Sequence, residues 1–283
     1  MLATAALNAF ISSALAEDIG SGDHSTMACI PPTAKGKAVL KIKEDGILAG
    51  MEVAAAIFQW LDQFTVFTPY KKDGDVMKAG EVAFEVEATV HTLLMGERLV
   101  LNCMQRMSGI ATLTHQYVEK IKGYHTRILD TRKTTPNFRM LEKEAVRIGG
   151  GVNHRMGLYD MVMLKDNHID FAGGITNAVT ETVAYLEAQQ LPLKIEVETR
   201  NLNDVREVLA VGHVNRIMLD NFAPADIVTA MALINGRIET EASGGITLAN
   251  LEAYAKTGVD YISVGAIIHH AVSLDLSLKA VIL

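Results

Sequence analysis

Residues 194–221 read KIEVETRNLNDVREVLAVGHVNRIMLDN. KIEVE alternates Ile195 and Val197 with Glu196 and Glu198, the period of two that puts successive side chains on opposite faces of a strand. NDVREVLAVG reads as a helix closing on Gly212, the residue type that suits a left-handed C-cap. RIML is a second short apolar strand, and it ends in Asp220 and Asn221. A strand, a helix and another strand in succession imply parallel strands, because parallel pairing needs a crossover.

Working outward, the same grammar repeats. RILD is followed by TRK, MVML by KDN, RIETEA by SGG and YISV by GA. Helical stretches such as NAVTETVAYLEAQQ, PADIVTAMALING and LANLEAYAKTG lie between strand candidates. Six strands at short, regular spacing point to a closed or nearly closed α/β barrel. A doubly wound open sheet is the alternative, although neither GxGxxG after the first strand nor GxxxxGK[ST] occurs. Before about residue 105 the pattern differs. Short β-like segments surround turns at Asp45-Gly46, Asp73-Gly74 and Ala79-Gly80, with MEVAAAIFQWLDQF as a helix between them. Near the N-terminus Leu7, Phe10, Ile11, Ala14 and Leu15 fall at helical spacing. Glu17 and Asp18 follow with no basic leader, so an amphipathic helix is expected rather than a signal peptide. The expected domains are residues 1–105 and 106–270, with 271–283 packing on the first.

The 283 residues carry a formal charge of -7, which gives a nucleic-acid role no support. No apolar run is long enough to span a bilayer. Cys29 and Cys103 stand outside any metal or redox motif, so two buried, reduced thiols in a cytoplasmic protein are expected.

In α/β barrels the working residues sit at the C-terminal ends of the strands. Those positions hold Asp130, Arg132, Lys133, Lys165, Asn167, Glu196, Glu198, Asp220, Asn221, Ser243, Gly244, Gly245 and Gly265, and a glycine run leads into His154 and Arg155. An acidic chain that gathers Arg132, Lys133, Arg155 and Lys165 on one rim has the makings of a polyanion site. The glycine loops after the last two strands suit phosphate, with His269 close behind. Glu196 and Glu198 point the same way into the barrel. Together with Asp220 they could hold Mg2+ partly through water, or pair with a lysine instead. His168 reads as a residue that steadies its own loop.

DTRKTTP, GGGVNHRMGLYDMVMLKDNH, EVE, IMLDN, SGG and ISVGA occur in this order, preceded by EDIGSGDHST, DGILAG and ERLVLNCMQRMSGIAT. In these motifs the chain resembles the quinolinate phosphoribosyltransferases, from about residue 14 to the end. The resemblance implies an N-terminal α/β sandwich domain followed by an open seven-stranded, TIM-like α/β barrel. It implies synthesis of nicotinate mononucleotide from quinolinate and phosphoribosyl pyrophosphate with Mg2+, in NAD biosynthesis, by a homodimer in which Arg98 is donated across the interface. Arg132, His154 and Arg155 match residues that hold the quinolinate carboxylates, and Lys133 and Lys165 match lysines of the shared substrate site. Glu196 and Asp220 match the acids near ribose and metal, with Glu198 competing for the place of Glu196. Ser243, Gly244, Gly245, Gly265 and His269 match the 5′-phosphate cradle. The rivals are a nicotinate-specific transferase, a molybdenum-transport-associated paralogue, and a Schiff-base lyase using Lys165 or Lys133.

Overall fold

The computed structural model describes residues 4–281. In chain order its elements are α1 (Thr4–Ile19), α2 (His24–Cys29), β1 (Lys35–Ile42), β2 (Gly46–Ile47), α3 (Met51–Leu61), β3 (Val66–Pro69), β4 (Val76–Met77), β5 (Val82–Thr89), α4 (Val90–Lys120), β6 (Arg127–Leu129), α5 (Arg139–Ile148), β7 (Val162–Leu164), α6 (Asp166–Ala172), α7 (Ile175–Ala188), β8 (Ile195–Thr199), α8 (Leu202–Val211), β9 (Arg216–Asp220), α9 (Pro224–Ile234), β10 (Glu239–Ser243), α10 (Leu251–Ala255), β11 (Tyr261–Ser263), α11 (Ala266–His269) and β12 (Leu276–Val281). They form two compact units. One comprises Met1–His115, Thr134–Gly150 and Ile268–Leu283, and the other Gln116–Lys133 and Gly151–Ile267. Residue 105 belongs to the first of these units. It falls inside α4, whose uninterrupted helical pattern gives no sign of where one unit ends.

The first unit is built on an antiparallel sheet of order β12-β1-β5-β3. The tail supplies its edge strand, with Leu278 opposite Leu40 and Leu276 opposite Ile42. The side chains of Leu40, Ile42, Phe84 and Val86 are fully buried, as are Ile57 and Phe58 of α3. Phe84 meets Phe58 edge-on and lies 4.5 Å from Phe67. Helix α1 buries Leu7, Ile11 and Leu15, the i, i+4, i+8 stripe its spacing demands. Cys103 is buried, whereas Cys29 at the end of α2 is exposed, so the expectation of two buried thiols is corrected for Cys29. A short helix with Thr26 as its buried residue has no interior to offer the next turn.

The second unit is a parallel sheet of order β6-β11-β10-β9-β8-β7. Its first strand lies beside its last, an order that a wrapped barrel produces and a doubly wound sheet does not. The six strands are those read from the sequence. The seventh that the resemblance implies is reduced to a single parallel bridge, Leu129 to Val152. Between Val152 and β7 no ladder is formed among the described residues, and there the barrel is open. Ile128, Val197, Ile217, Leu219, Ala242 and Ile262 fill the sheet, while Val205, Val208, Ile227 and Ala230 seat the helices against it. Asn201 caps α8 by accepting the N–H groups of Asn203 and Asp204. Gly212 closes the same helix at φ +69°. No helix among the described residues is long and apolar enough to cross a membrane.

Candidate active site

The C-terminal ends of the parallel strands open into one cavity of about 490 Å3. It is lined by Thr131, Arg132 and Lys133 after β6, His154 and Arg155, Met163 and Lys165 at β7, Asp166, Glu198 of β8, Met218 and Asp220 of β9, Glu241 and Ser243 of β10, and Ser263 of β11. All four cations expected on one rim therefore face a single space. Burial, and after it the like charge of Arg132, hold the Arg155 guanidinium below its usual pKa. Two guanidiniums this close favour an anion between them. Arg155 is steadied from the side by Met161, whose carbonyl accepts from Nη1 at 3.1 Å.

On the opposite wall Glu198 lies 3.8 Å from the Lys165 ammonium. Burial first, then the charge of Asp220, raise the Glu198 pKa. Asn221, held at φ +56°, donates its side-chain amide to Asp220 at 2.6 Å. Its backbone N–H donates to the Ser243 carbonyl at 2.8 Å, tying β9 to the SGG turn. Lys165 is the N-cap of α6, and its N–H donates to His168 Nδ1 at 3.1 Å. His168 thus steadies the loop that presents the lysine.

Glu196 does not line this wall, which Glu198 does. Both acids of IEVE point inward, but two residues of strand separate them by roughly 6.6 Å in depth. Glu198 reaches the cavity, while Glu196 is wholly buried beneath it. Down there its carboxylate lies 2.9 Å from His154 Nε2, and that of Glu241 lies 3.3 Å from the same nitrogen. The Arg216 guanidinium stands 3.3 Å from Glu241 and 3.1 Å from Glu239, and packs over the Tyr261 ring at 4.3 Å.

His154 itself is almost wholly buried. Its backbone N–H donates to Asp130 at 2.8 Å, and its Nδ1 accepts the Arg155 N–H at 2.7 Å. Burial works against a charged His154, but hydrogen bonds to Glu196 and Glu241 push its pKa up to about 9. Burial and the charge of Glu241 push Glu196 up to about 7. Burial also opposes ionisation of Glu241, yet the His154 hydrogen bond and Arg216 hold it low. The trio thus keeps an extra proton near neutrality. His154, Glu196 and Glu241 also present three ligand atoms within 4.8 Å. Arg216 already supplies the positive charge a cation would bring there, whereas Glu198 and Asp220 on the open cavity are oxygen donors that could hold one.

Among the cradle residues, Ser243 lines the cavity. Gly244 and Gly245 follow it at φ +95° and +61°. A Cβ on Gly244 would lie 2.2 Å from Asn221 Oδ1, so the turn admits glycine alone. Gly265 follows β11 and leads into α11. His269 and Arg98 belong to the first unit, and both are exposed, His269 with its ring edge-on to His270. Glu241 and Arg216 were not singled out from the sequence. The signal was there: Glu239 and Glu241 alternate with Ile238 and Thr240 as Glu196 and Glu198 do in IEVE, and an acid inside a barrel needs a partner.

The family models for the N-terminal and C-terminal domains of quinolinate phosphoribosyl transferase match residues 23–108 and 110–279. The chain belongs to the quinolinate phosphoribosyltransferase family. A probable nicotinate-nucleotide pyrophosphorylase [carboxylating] of Synechocystis is 48% identical, over 94% of this chain and 90% of that protein. The chloroplastic nicotinate-nucleotide pyrophosphorylase [carboxylating] of Arabidopsis thaliana is 46% identical, over 96% of this chain and 82% of its own. Among solved structures, NadC from Streptococcus pyogenes superposes with a TM-score of 0.92 at 39% identity, over 100% of this chain and 99% of that one. Within this quinolinate phosphoribosyltransferase the cation-lined cavity is the feature that connects family and chemistry.

Proposed function

We infer that this chain is a carboxylating nicotinate-nucleotide pyrophosphorylase. It joins quinolinate to phosphoribosyl pyrophosphate and releases nicotinate mononucleotide, carbon dioxide and pyrophosphate, for NAD biosynthesis. The observation that carries this reading is the convergence of Arg132, Lys133, Arg155 and Lys165 on one cavity of an otherwise acidic protein. Both substrates are polyanions, and guanidinium forks suit the two carboxylates of quinolinate. Ser243, Gly244, Gly245 and Gly265 would take the 5′-phosphate.

The pyridine nitrogen attacks C1 of the ribose as the C1–O bond to pyrophosphate breaks, leaving oxocarbenium character at C1. Lys133 and Lys165 balance the charge that grows on the departing pyrophosphate. Glu198 and Asp220 face the ribose side. Two neighbouring oxygen donors, one with its pKa raised by burial and then by the charge of the other, fit a hard divalent cation. They would hold Mg2+ partly through water, and the ion would supply charge neutralisation for the leaving group. Once the ring nitrogen is cationic, the C2 carboxylate leaves as carbon dioxide, and the carbanion beside the positive nitrogen takes up a proton. No covalent enzyme intermediate is needed, because the residues position and balance charge. Lys165 is exposed and ion-paired with Glu198, unlike the desolvated lysine of a Schiff-base enzyme.

We further propose a homodimer in which Arg98, exposed on α4, completes the cavity of a second copy. We place the protein in the cytoplasm, where its two free cysteines stay reduced. Calorimetric titration with quinolinate and with nicotinate tests the dicarboxylate reading. Quinolinate should bind at least about tenfold more tightly, because nicotinate leaves one guanidinium set without its anion. Equal affinities would move the reading to a nicotinate-specific transferase.

A further inference from the structure

A continuous chain of contacts runs along the cavity floor: His154, Arg155 and Glu241 line the cavity, while Arg216, Tyr261 and Asp130 stand outside its lining. It starts at Tyr261, over whose ring the Arg216 guanidinium packs at 4.3 Å. Arg216 Nη1 lies 3.3 Å from Glu241. Glu241 Oε2 lies 3.3 Å from His154 Nε2, and His154 Nδ1 accepts the Arg155 N–H at 2.7 Å. Asp130, fully buried at the end of β6, holds the backbone N–H of His154 at 2.8 Å. The loop bearing Arg155 is thus fixed through the histidine ring and backbone, and the ring through carboxylates rooted in the middle of β8 and β10. A fully buried acid with a guanidinium on one side and an imidazole on the other has little rotational freedom, so its placement passes directly to His154.

We propose that Glu241, clamped by Arg216, is a positioning residue for Arg155. It acts through His154 to set where the Arg155 guanidinium meets the dicarboxylate. The proposal rests on the quinolinate reading above and names the residues that tune its carboxylate subsite. It separates Glu241 from Glu198 and Asp220, whose part concerns ribose and leaving group. Loss of Glu241 should therefore weaken one substrate and spare the other.

The test is a double-mutant cycle on the intact enzyme with Glu241→Gln, Arg155→Ala and the pair. Glu241→Gln keeps the shape of the side chain and removes its charge. It should raise KM for quinolinate about tenfold, leaving KM for phosphoribosyl pyrophosphate and kcat within about twofold. Added to Arg155→Ala, it should cause no further loss, since the residue through which it acts is gone. Both KM values rising together, or losses that multiply in the double variant, would overturn the proposal. Should Glu241→Gln not fold, Glu196→Gln, which releases His154 from its other carboxylate, is read in the same cycle against the same two outcomes. Wild-type enzyme that turns over no quinolinate would sink the functional reading instead. Wild-type turnover with an unselective Glu241→Gln defect would sink the positioning role alone.

Discussion

Arg132 and Arg155 bring two guanidiniums to one cavity, and burial, followed by the charge of Arg132, depresses the Arg155 pKa. If a dicarboxylate relieves the repulsion, Arg132→Ala should raise KM for quinolinate by about thirty- to one-hundredfold, the loss of a charge-assisted bidentate contact of roughly 2–3 kcal/mol. KM for phosphoribosyl pyrophosphate should move less than about threefold; equal losses in steady-state kinetics would remove the role. On the other wall, Asp220→Asn should raise the Mg2+ concentration giving half-maximal rate, with quinolinate affinity in the absence of Mg2+ unchanged. An unaltered Mg2+ requirement would take Asp220 out of the metal site. The buried trio adds a prediction about pH. His154, with a folded pKa of about 9, and Glu196, with one of about 7, both lie above their unfolded values. The folded protein therefore binds more protons than the unfolded chain, and the stability this brings is lost as pH rises through the folded pKa values. Urea unfolding should show these two groups lowering stability progressively between about pH 4.5 and 9, with a shallower slope below about pH 7 in Glu196→Gln. A wild-type curve that rises over that window would contradict the extra proton held by the trio.

At the scale of elements, the β9 and β10 ends form one device, because Asn221 bonds both Asp220 and the Ser243 carbonyl. Gly244→Ala would strain a φ of +95° and drive Cβ into Asn221. KM for phosphoribosyl pyrophosphate should rise about tenfold or more while quinolinate binding stays near wild type; the reverse pattern would take the phosphate from this turn. The strands of the barrel were legible because each apolar run stops at a polar or glycine residue. The seventh was not, since Val152 contributes a single bridge and leaves no run to see. Periodicity put Glu196 and Glu198 on one face correctly. It carries no information on depth, and depth decides that Glu198 meets the substrate cavity while Glu196 serves His154. The short α2 left Cys29 in solvent.

At the scale of the whole molecule, Arg98 shows where single-chain reasoning stops. On its own helix it reads as a surface charge, and only the family resemblance gives it a partner. If Arg98 serves a second copy's cavity, Arg98→Ala and Arg132→Ala proteins mixed, re-equilibrated and assayed at quinolinate far below their raised KM, where each alone is nearly silent, should regain about a quarter of wild-type activity, because half of the dimers then hold one intact site. No recovery after confirmed subunit exchange would return Arg98 to its own surface. The central claim concerns the reaction itself, and it is tested most directly by turnover with quinolinate labelled in the C2 carboxylate, phosphoribosyl pyrophosphate and Mg2+. We expect labelled carbon dioxide and nicotinate mononucleotide in equal amounts, with no nucleotide formed when nicotinate replaces quinolinate. Nucleotide from nicotinate with none from quinolinate, or no product from either, would contradict the account.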